Sequence, residues 1–244
     1  MPSSASTVKG SLAVLNRELT ACVRCPRLVA YREQVGELKR RAYMDWQYWA
    51  RPVPGFGDPH ARVLLLGLAP GAHGSNRTGR MFTGDSSGRF LYDVLHATGF
   101  ASQPTATDRH DGLRLTDCYI TAAVRCVPPA NKPLPGEIAN CADFLERELA
   151  LLRKVHVVVA LGRIGFEAYL NFLKRRNLLE KGKGAYRFSH GAQFEMPDGR
   201  VLLASYHPSN QNTQTGKLTR AMFLEIFRTA QRLAATGKSS KSPD

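Results

Sequence analysis

The sequence predicts a three-layer α/β/α sandwich built on a central, mainly parallel four-stranded sheet. Two observations carry that expectation. Four short apolar runs recur along the 244 residues, each of strand length, the first of them continuously apolar as in a strand buried on both faces. Between them stand longer segments whose apolar residues return at three and four positions, the spacing of a helix with one buried face. Strand and helix therefore alternate, and that order closes into a parallel sheet covered by helices.

Taken in order, Leu12, Leu15, Leu19 and Cys22 share one face of a first helix, which Pro26 should bend or end. A stretch rich in aromatics and arginine (Tyr43, Trp46, Tyr48, Trp49, Arg51) leads into Pro52, Pro54 and Gly55 and reads as loop. Arg62 to Leu66 form the first strand, which ends in Gly67-Leu68-Ala69-Pro70-Gly71. A helix carrying Phe90, Leu91, Val94 and Leu95 follows, with Asp85, Ser86 and Ser87 as candidates to accept from its free N-terminal amides. Cys118 to Val124 make the second strand, and Pro135, Ile138, Ala142, Leu145, Leu149 and Leu152 mark a helix that also carries Cys141. Val155 to Leu161 are the third strand, followed by Gly162 and a helix from about Ile164. Val201 to Tyr206 are the fourth, running into His207-Pro208-Ser209. The last helix places Leu218, Met222, Ile226, Ala230 and Leu233 on one face.

Residues 1–10 read as a flexible N-terminus, 11–236 as a single domain and 237–244 as a flexible basic tail. No apolar run approaches the roughly 20 residues a membrane span requires, and Met1 to Gly10 lack the apolar core of a signal peptide. Five cysteines, an odd number, argue against a disulfide framework and for a reducing compartment. Cys22 and Cys25 have the C-x-x-C spacing by which two thiolates grip one centre. Cys126 and Cys141 are too far apart for a local finger, so folding must bring them to the first pair. Such a set holds zinc or an iron–sulfur cluster, and spacing does not separate the two. Cys118 lies on a strand and reads as a core thiol. The net charge of +14 favours a polyanionic partner, because neutralising phosphates releases condensed counterions.

Gly67-Leu68-Ala69-Pro70-Gly71, Phe82-Thr83-Gly84-Asp85 and His207-Pro208-Ser209, in that order and with the four cysteines, resemble the uracil-DNA glycosylase superfamily. The cysteines narrow the resemblance to its iron–sulfur branches. The run from Gly67 to Arg77 is similar to family 5 (type b) rather than family 4. The resemblance covers about Ala21 to Leu233 and implies a [4Fe–4S] cluster on Cys22, Cys25, Cys126 and Cys141. It implies a monomeric bacterial or archaeal enzyme, cytoplasmic and nucleoid-associated, acting on double-stranded DNA with no membrane. Such an enzyme flips a damaged base into a pocket and hydrolyses its N-glycosidic bond, because the target atom is unreachable inside the stack.

That chemistry needs a donor to the departing base and a carboxylate or oriented water for the sugar cation. His207 is the candidate donor, as a neutral imidazole, and Ser209 beside it would hold a flanking phosphate. Related families carry a polar catalytic side chain in the first loop, but Leu68 and Ala69 stand there, so Asp85 is the candidate carboxylate. Asp85 is equally placed to cap a helix, and the two roles are compatible. Phe82 would stack on the base. Gly67, Ala69, Gly71, Gly84, His73 and Asn76 would line the pocket, and Asn131 would assist near the sugar. Ala122 stands where the sister family has a uracil-reading asparagine, which implies relaxed specificity: uracil with hypoxanthine, xanthine, hydroxymethyluracil or ethenocytosine. Two other readings remain, a uracil-only enzyme of the family 4 kind and a damage-binding protein without chemistry.

Overall fold

The computed structural model describes residues 4–236. Its strands are β1 (Phe56–Gly57), β2 (Val63–Gly67), β3 (Cys118–Ala122), β4 (Val157–Leu161), β5 (Gln193–Glu195) and β6 (Val201–Ser205). They form one sheet in the order β1-β3-β2-β4-β6-β5. The four apolar runs are its centre, β3-β2-β4-β6, parallel throughout. The expected four strands become six, because β1 and β5 each add an antiparallel edge. Neither has an apolar run to betray it: β1 is two residues long, and β5 alternates exposed, half-buried and exposed.

The helices are α1 (Ser4–Thr20), α2 (Pro26–Leu38), α3 (Ser75–Thr78), α4 (Ser86–Ala97), α5 (Pro135–Leu151), α6 (Arg163–Arg175), α7 (Asn210–Gln214) and α8 (Arg220–Thr236). Helix α1 starts at Ser4, inside the 1–10 segment expected to be flexible. The basic tail 237–244 lies outside the described residues. Pro26 opens α2 rather than only stopping α1, as it stands at the start of that helix, where a missing N–H costs no bond.

Alternation along each strand sorts the core into two layers. Val63 and Leu65 of β2, Ile120 of β3, Val157 and Val159 of β4 and Leu203 of β6 face α4 and α8, meeting Leu91, Leu95, Phe223 and Phe227. Leu64, Leu66, Val158, Ala160, Leu202 and Ala204 point the other way, onto Leu145 and Leu149 of α5 and Phe166, Tyr169 and Leu173 of α6. This is the α/β/α sandwich. Helix α6 leaves the carboxyl end of β4 and runs back along the sheet. The basic run Lys174-Arg175-Arg176 therefore lies toward the edge opposite the carboxyl ends, where Arg175 pairs with Glu146 at 2.7 Å.

Candidate active site

The loops leaving β2, β3 and β6 at their carboxyl ends converge on a cleft of about 1000 Å³. Open parallel sheets bind ligands at this edge. Gly67, Ala69, Gly71, His73, Phe82, Gly84, Asp85, Asn131, His207 and Ser209 all line it. Asn76 does not. It is wholly buried, and its Nδ2 donates to the carbonyl oxygen of Arg32 in α2 at 3.2 Å, so a role reading the base is corrected to one inside the fold.

Asp85 is the N-cap of α4, its Oδ1 accepting from Gly88 N at 2.8 Å. Its Oδ2 turns the other way, against the backbone of Gly71 and Gly74. A Cβ on Gly74 would stand 2.0 Å from it, so the loop can approach this carboxylate only with glycine there. Burial raises the Asp85 pKa, opposed by the Gly88 amide, the charges of Arg77 and Arg89 and the Ser87 amide. Capping thus falls to Oδ1, while Oδ2 packs against the loop of Gly71 and Gly74 in a side chain that lines the cleft.

His207 follows β6, and burial lowers its pKa to about 4. That shift favours the neutral ring. Its carbonyl accepts from Asn212 Nδ2 at 2.9 Å, which ties the 207 loop to α7. Phe82 lies 5.8 Å from it, ring centroid to ring centroid, with the planes 32° apart. Phe82 holds φ +52°, a strained conformation for an aromatic residue, and packs its ring over Gly67, where a Cβ would meet it at 3.2 Å. Strain of this kind persists only where the surroundings impose it.

Ser209 caps α7, accepting from Asn212 N, which leaves its hydroxyl hydrogen free to donate. The His73 Nδ1 stands 3.0 Å from the Tyr48 hydroxyl; burial, then the charges of Arg40 and Arg77, lowers its pKa. Asn131 closes a tight turn with φ +55° and is exposed at the mouth of the cleft. Leu68, Ala69 and Ala122 give the wall an apolar stretch.

A second, smaller cavity is lined by Cys22, Cys25, Cys126 and Cys141 together with Leu28, Arg125 and Asn140. Folding thus brings the two distant pairs together, while Cys118 is fully buried in the sheet layer facing α4 and α8. Among the described residues, no three of His, Cys, Asp or Glu close around a single metal ion. The donor set nonetheless suits a thiolate-bound group. Arg32 Nη1 points at Cys126 Sγ at 3.2 Å and Asn140 Nδ2 at Cys25 Sγ at 3.4 Å, donors that favour negative charge on sulfur.

The sequence model of the uracil DNA glycosylase superfamily matches residues 54–231. The chain belongs to that superfamily. Within it, the chain is 60% identical to a type-5 uracil-DNA glycosylase of Thermus thermophilus, over 88% of this chain and 95% of the relative. It is 47% identical to the type-5 enzyme of Mycobacterium tuberculosis, over 92% and 82%. Similarity to a type-4 uracil-DNA glycosylase of Archaeoglobus fulgidus is weaker and shorter, 34% over 49% and 52%.

One part of this superfamily member's cleft escapes a reading of the sequence. The Arg77 guanidinium sits in the corner formed by the rings of Tyr43 and Trp46, which stand 81° apart, 3.9 and 4.0 Å from their centroids. It donates to the carbonyls of His73 at 2.7 Å and Gly84 at 2.9 Å. One side chain thus joins the first motif, the second motif and the aromatic stretch that reads as loop. The density of aromatics and arginines over 43–51 was the visible signal; its partner more than thirty residues on was not.

Proposed function

We propose that this chain is a DNA-repair hydrolase that flips uracil out of double-stranded DNA and cleaves its N-glycosidic bond, leaving an abasic site. The observation that carries this is one cleft lined by a carboxylate, a histidine and an aromatic ring, Asp85, His207 and Phe82, the last two with ring centroids 5.8 Å apart. Unstacking a base costs a few kcal/mol, which the phosphate contacts of a protein charged +14 help to offset.

In the reaction, the bond from C1′ to the base nitrogen breaks and its electron pair leaves on the base. His207 donates to the base carbonyl oxygen where that negative charge gathers, an interaction worth ~10²–10³ in rate. Oδ2 of Asp85 faces the sugar, stabilises positive charge at C1′ and orients the water whose oxygen adds there. The water's proton passes by way of the carboxylate to solvent, and the base anion is protonated. Phe82 stacks on the base, and Gly67, Ala69, Gly71 and Gly84 let backbone approach its edge. His73 and Asn131 flank the sugar, and Ser209 holds a neighbouring phosphate.

Because Ala122 gives this wall no amide to read uracil, the substrate range extends to hypoxanthine, xanthine, hydroxymethyluracil and ethenocytosine. Cys22, Cys25, Cys126 and Cys141 would hold a [4Fe–4S] cluster, tying the α1–α2 junction to the segment after β3 through Cys126 and to α5 through Cys141. The glycosylase domain is one unit over 11–236, a monomer working in the cytoplasm at the nucleoid. Among the described residues no helix is long and apolar enough to cross a membrane.

Single-turnover base release from duplexes carrying uracil, hypoxanthine or thymine opposite guanine tests this. Release of the first two without thymine is expected. Binding of uracil duplex without release of any base would overturn catalysis and favour the damage-binding reading, for which the apolar Leu68-Ala69 wall is the best support. Iron and acid-labile sulfide analysis separates the cluster from zinc.

A further inference from the structure

Asn76 stands in α3, which follows directly on the loop that walls the cleft, and its side chain points into the protein. Its Nδ2 donates to the Arg32 carbonyl at 3.2 Å, and its backbone N donates to the Gly71 carbonyl at 3.0 Å. Gly71 in turn lies against Oδ2 of Asp85. On the other side, the Arg32 guanidinium donates through Nη1 to Cys126 Sγ and to the Cys22 carbonyl, both at 3.2 Å. Arg32 and Asn76 therefore bridge the cysteine cavity and the carboxylate without touching the cleft.

The charge balance gives this bridge a direction. Arg32 is 4% exposed, its Nε has no partner among the described residues, and its carboxylate neighbour Glu33 is 3.7 Å away and itself exposed. A buried guanidinium with so few partners is expensive, and a thiolate at Cys126, as a bound metal centre would supply, would relieve it across the 3.2 Å contact. Arg32 lies within α2, so the guanidinium that meets Cys126 and the backbone carbonyl that fixes Asn76 belong to one helix, and a shift of α2 against the cysteine cavity carries that carbonyl with it.

We infer that Arg32 and Asn76 are positioning residues that couple the cysteine centre to Asp85, so that the state of the sulfur centre sets the register of the 71–76 loop. This rests on the reading above, in which the cysteines carry a cluster and Asp85 acts on the sugar.

The test uses full-length holoprotein as wild type, Arg32→Met, Asn76→Ala and the double variant. Each is measured for iron and sulfide content, visible circular dichroism, affinity for a duplex with a non-cleavable uracil analogue, and single-turnover release of uracil. Asn76→Ala should keep wild-type iron content, cluster spectrum and duplex affinity while releasing uracil ~5- to 30-fold more slowly, the range of a 1–2 kcal/mol coupling. Arg32→Met should alter the cluster spectrum and slow release comparably, and the double variant should be no slower than the worse single one. Retained iron shows that a variant has folded. Wild-type release by Asn76→Ala, or fully multiplicative losses in the double variant, overturns the coupling alone. Wild-type protein without iron and sulfide, or full release by Asp85→Asn, overturns the underlying reading and the coupling with it, and is seen before either bridge variant is examined.

Discussion

Oδ2 of Asp85 occupies the space a side chain on Gly74 would need: a Cβ built there stands 2.0 Å from that oxygen and 2.7 Å from the carboxylate carbon. The atoms struck belong to the carboxylate whose Oδ1 caps α4, so moving it aside weakens that cap, at a cost of about 1 kcal/mol, and takes Oδ2 from its place. Gly74→Ala should therefore still fold and bind duplex while releasing uracil ~10²-fold more slowly, the scale of a 1 Å misplacement of a catalytic group. Single-turnover kinetics beside thermal melting separates the two effects. A variant that loses melting temperature but keeps its rate would show that Oδ2 is not the working oxygen.

Asp85→Asn should stop catalysis and stabilise the fold. Burial raises the Asp85 pKa above its ordinary value of 3.8, so the ionised form costs folding free energy once pH exceeds the unfolded value. Asparagine removes that cost and still caps α4. At neutral pH the variant should melt higher, by about 2–4 °C for each kcal/mol regained. In wild type, release should fall with acidity through a pKa above the usual carboxylate value. A melting temperature below wild type would mean that the carboxylate is held mainly as a cap.

His207 gives the opposite pH signature in stability. Its pKa is about 4 in the fold against 6.5 ordinarily, so between those values the unfolded chain binds a proton that the native protein refuses. Stability tied to the neutral ring is complete above pH 6.5 and is lost as pH falls toward 4. His207→Ala should flatten the melting profile across that window and lose ~10²–10³ in release rate at neutral pH. Thermal melts across the same window decide it, since a profile parallel to wild type would put the ring in water.

The sheet was legible because its four central strands are buried on both faces and so must be apolar, whatever else they do. The edges were not, since Gln193–Glu195 and Phe56–Gly57 are held by ladder hydrogen bonds that any sequence can make. Helix α2 buries only Leu28 and Arg32, too few for a periodic stripe. At the cleft, the motifs that carry the resemblance pointed to Asp85, Phe82 and His207, and all three line it. Asn76 was assigned to the pocket with the rest of the run from Gly67 to Arg77, while the direction of its side chain depends on a helix more than forty residues away. The aromatic clamp on Arg77 escaped for the same reason: it is a pairing between distant segments, not a pattern within one.

The last prediction concerns an ion pair behind the cleft. Arg80 and Asp111 are 5% and 11% exposed and meet through two bonds of 2.8 and 2.7 Å. Arg80 Nε also donates to Thr83 Oγ1 at 2.9 Å, which fixes the residue between Phe82 and Gly84, while Asp111 accepts from the amide of Thr107, a residue of the cleft wall. Burial by itself would raise the Asp111 pKa, but Arg80 and the amides of Leu113, Thr107 and Asp108 bring it down to about 2. The stability this carboxylate contributes is present above its ordinary value of 3.8 and disappears as pH falls toward 2. Asp111→Asn leaves the Arg80 charge buried and should cost about 3 kcal/mol at neutral pH, with little further loss over that acid range. Because the pair backs the Phe82 loop without entering the cleft, release at a temperature where the variant is folded should fall only severalfold. Denaturant melts at pH 7 and pH 3 check the first statement and single-turnover release the second. Equal losses of stability at both pH values would show that the side chain contributes packing and not charge.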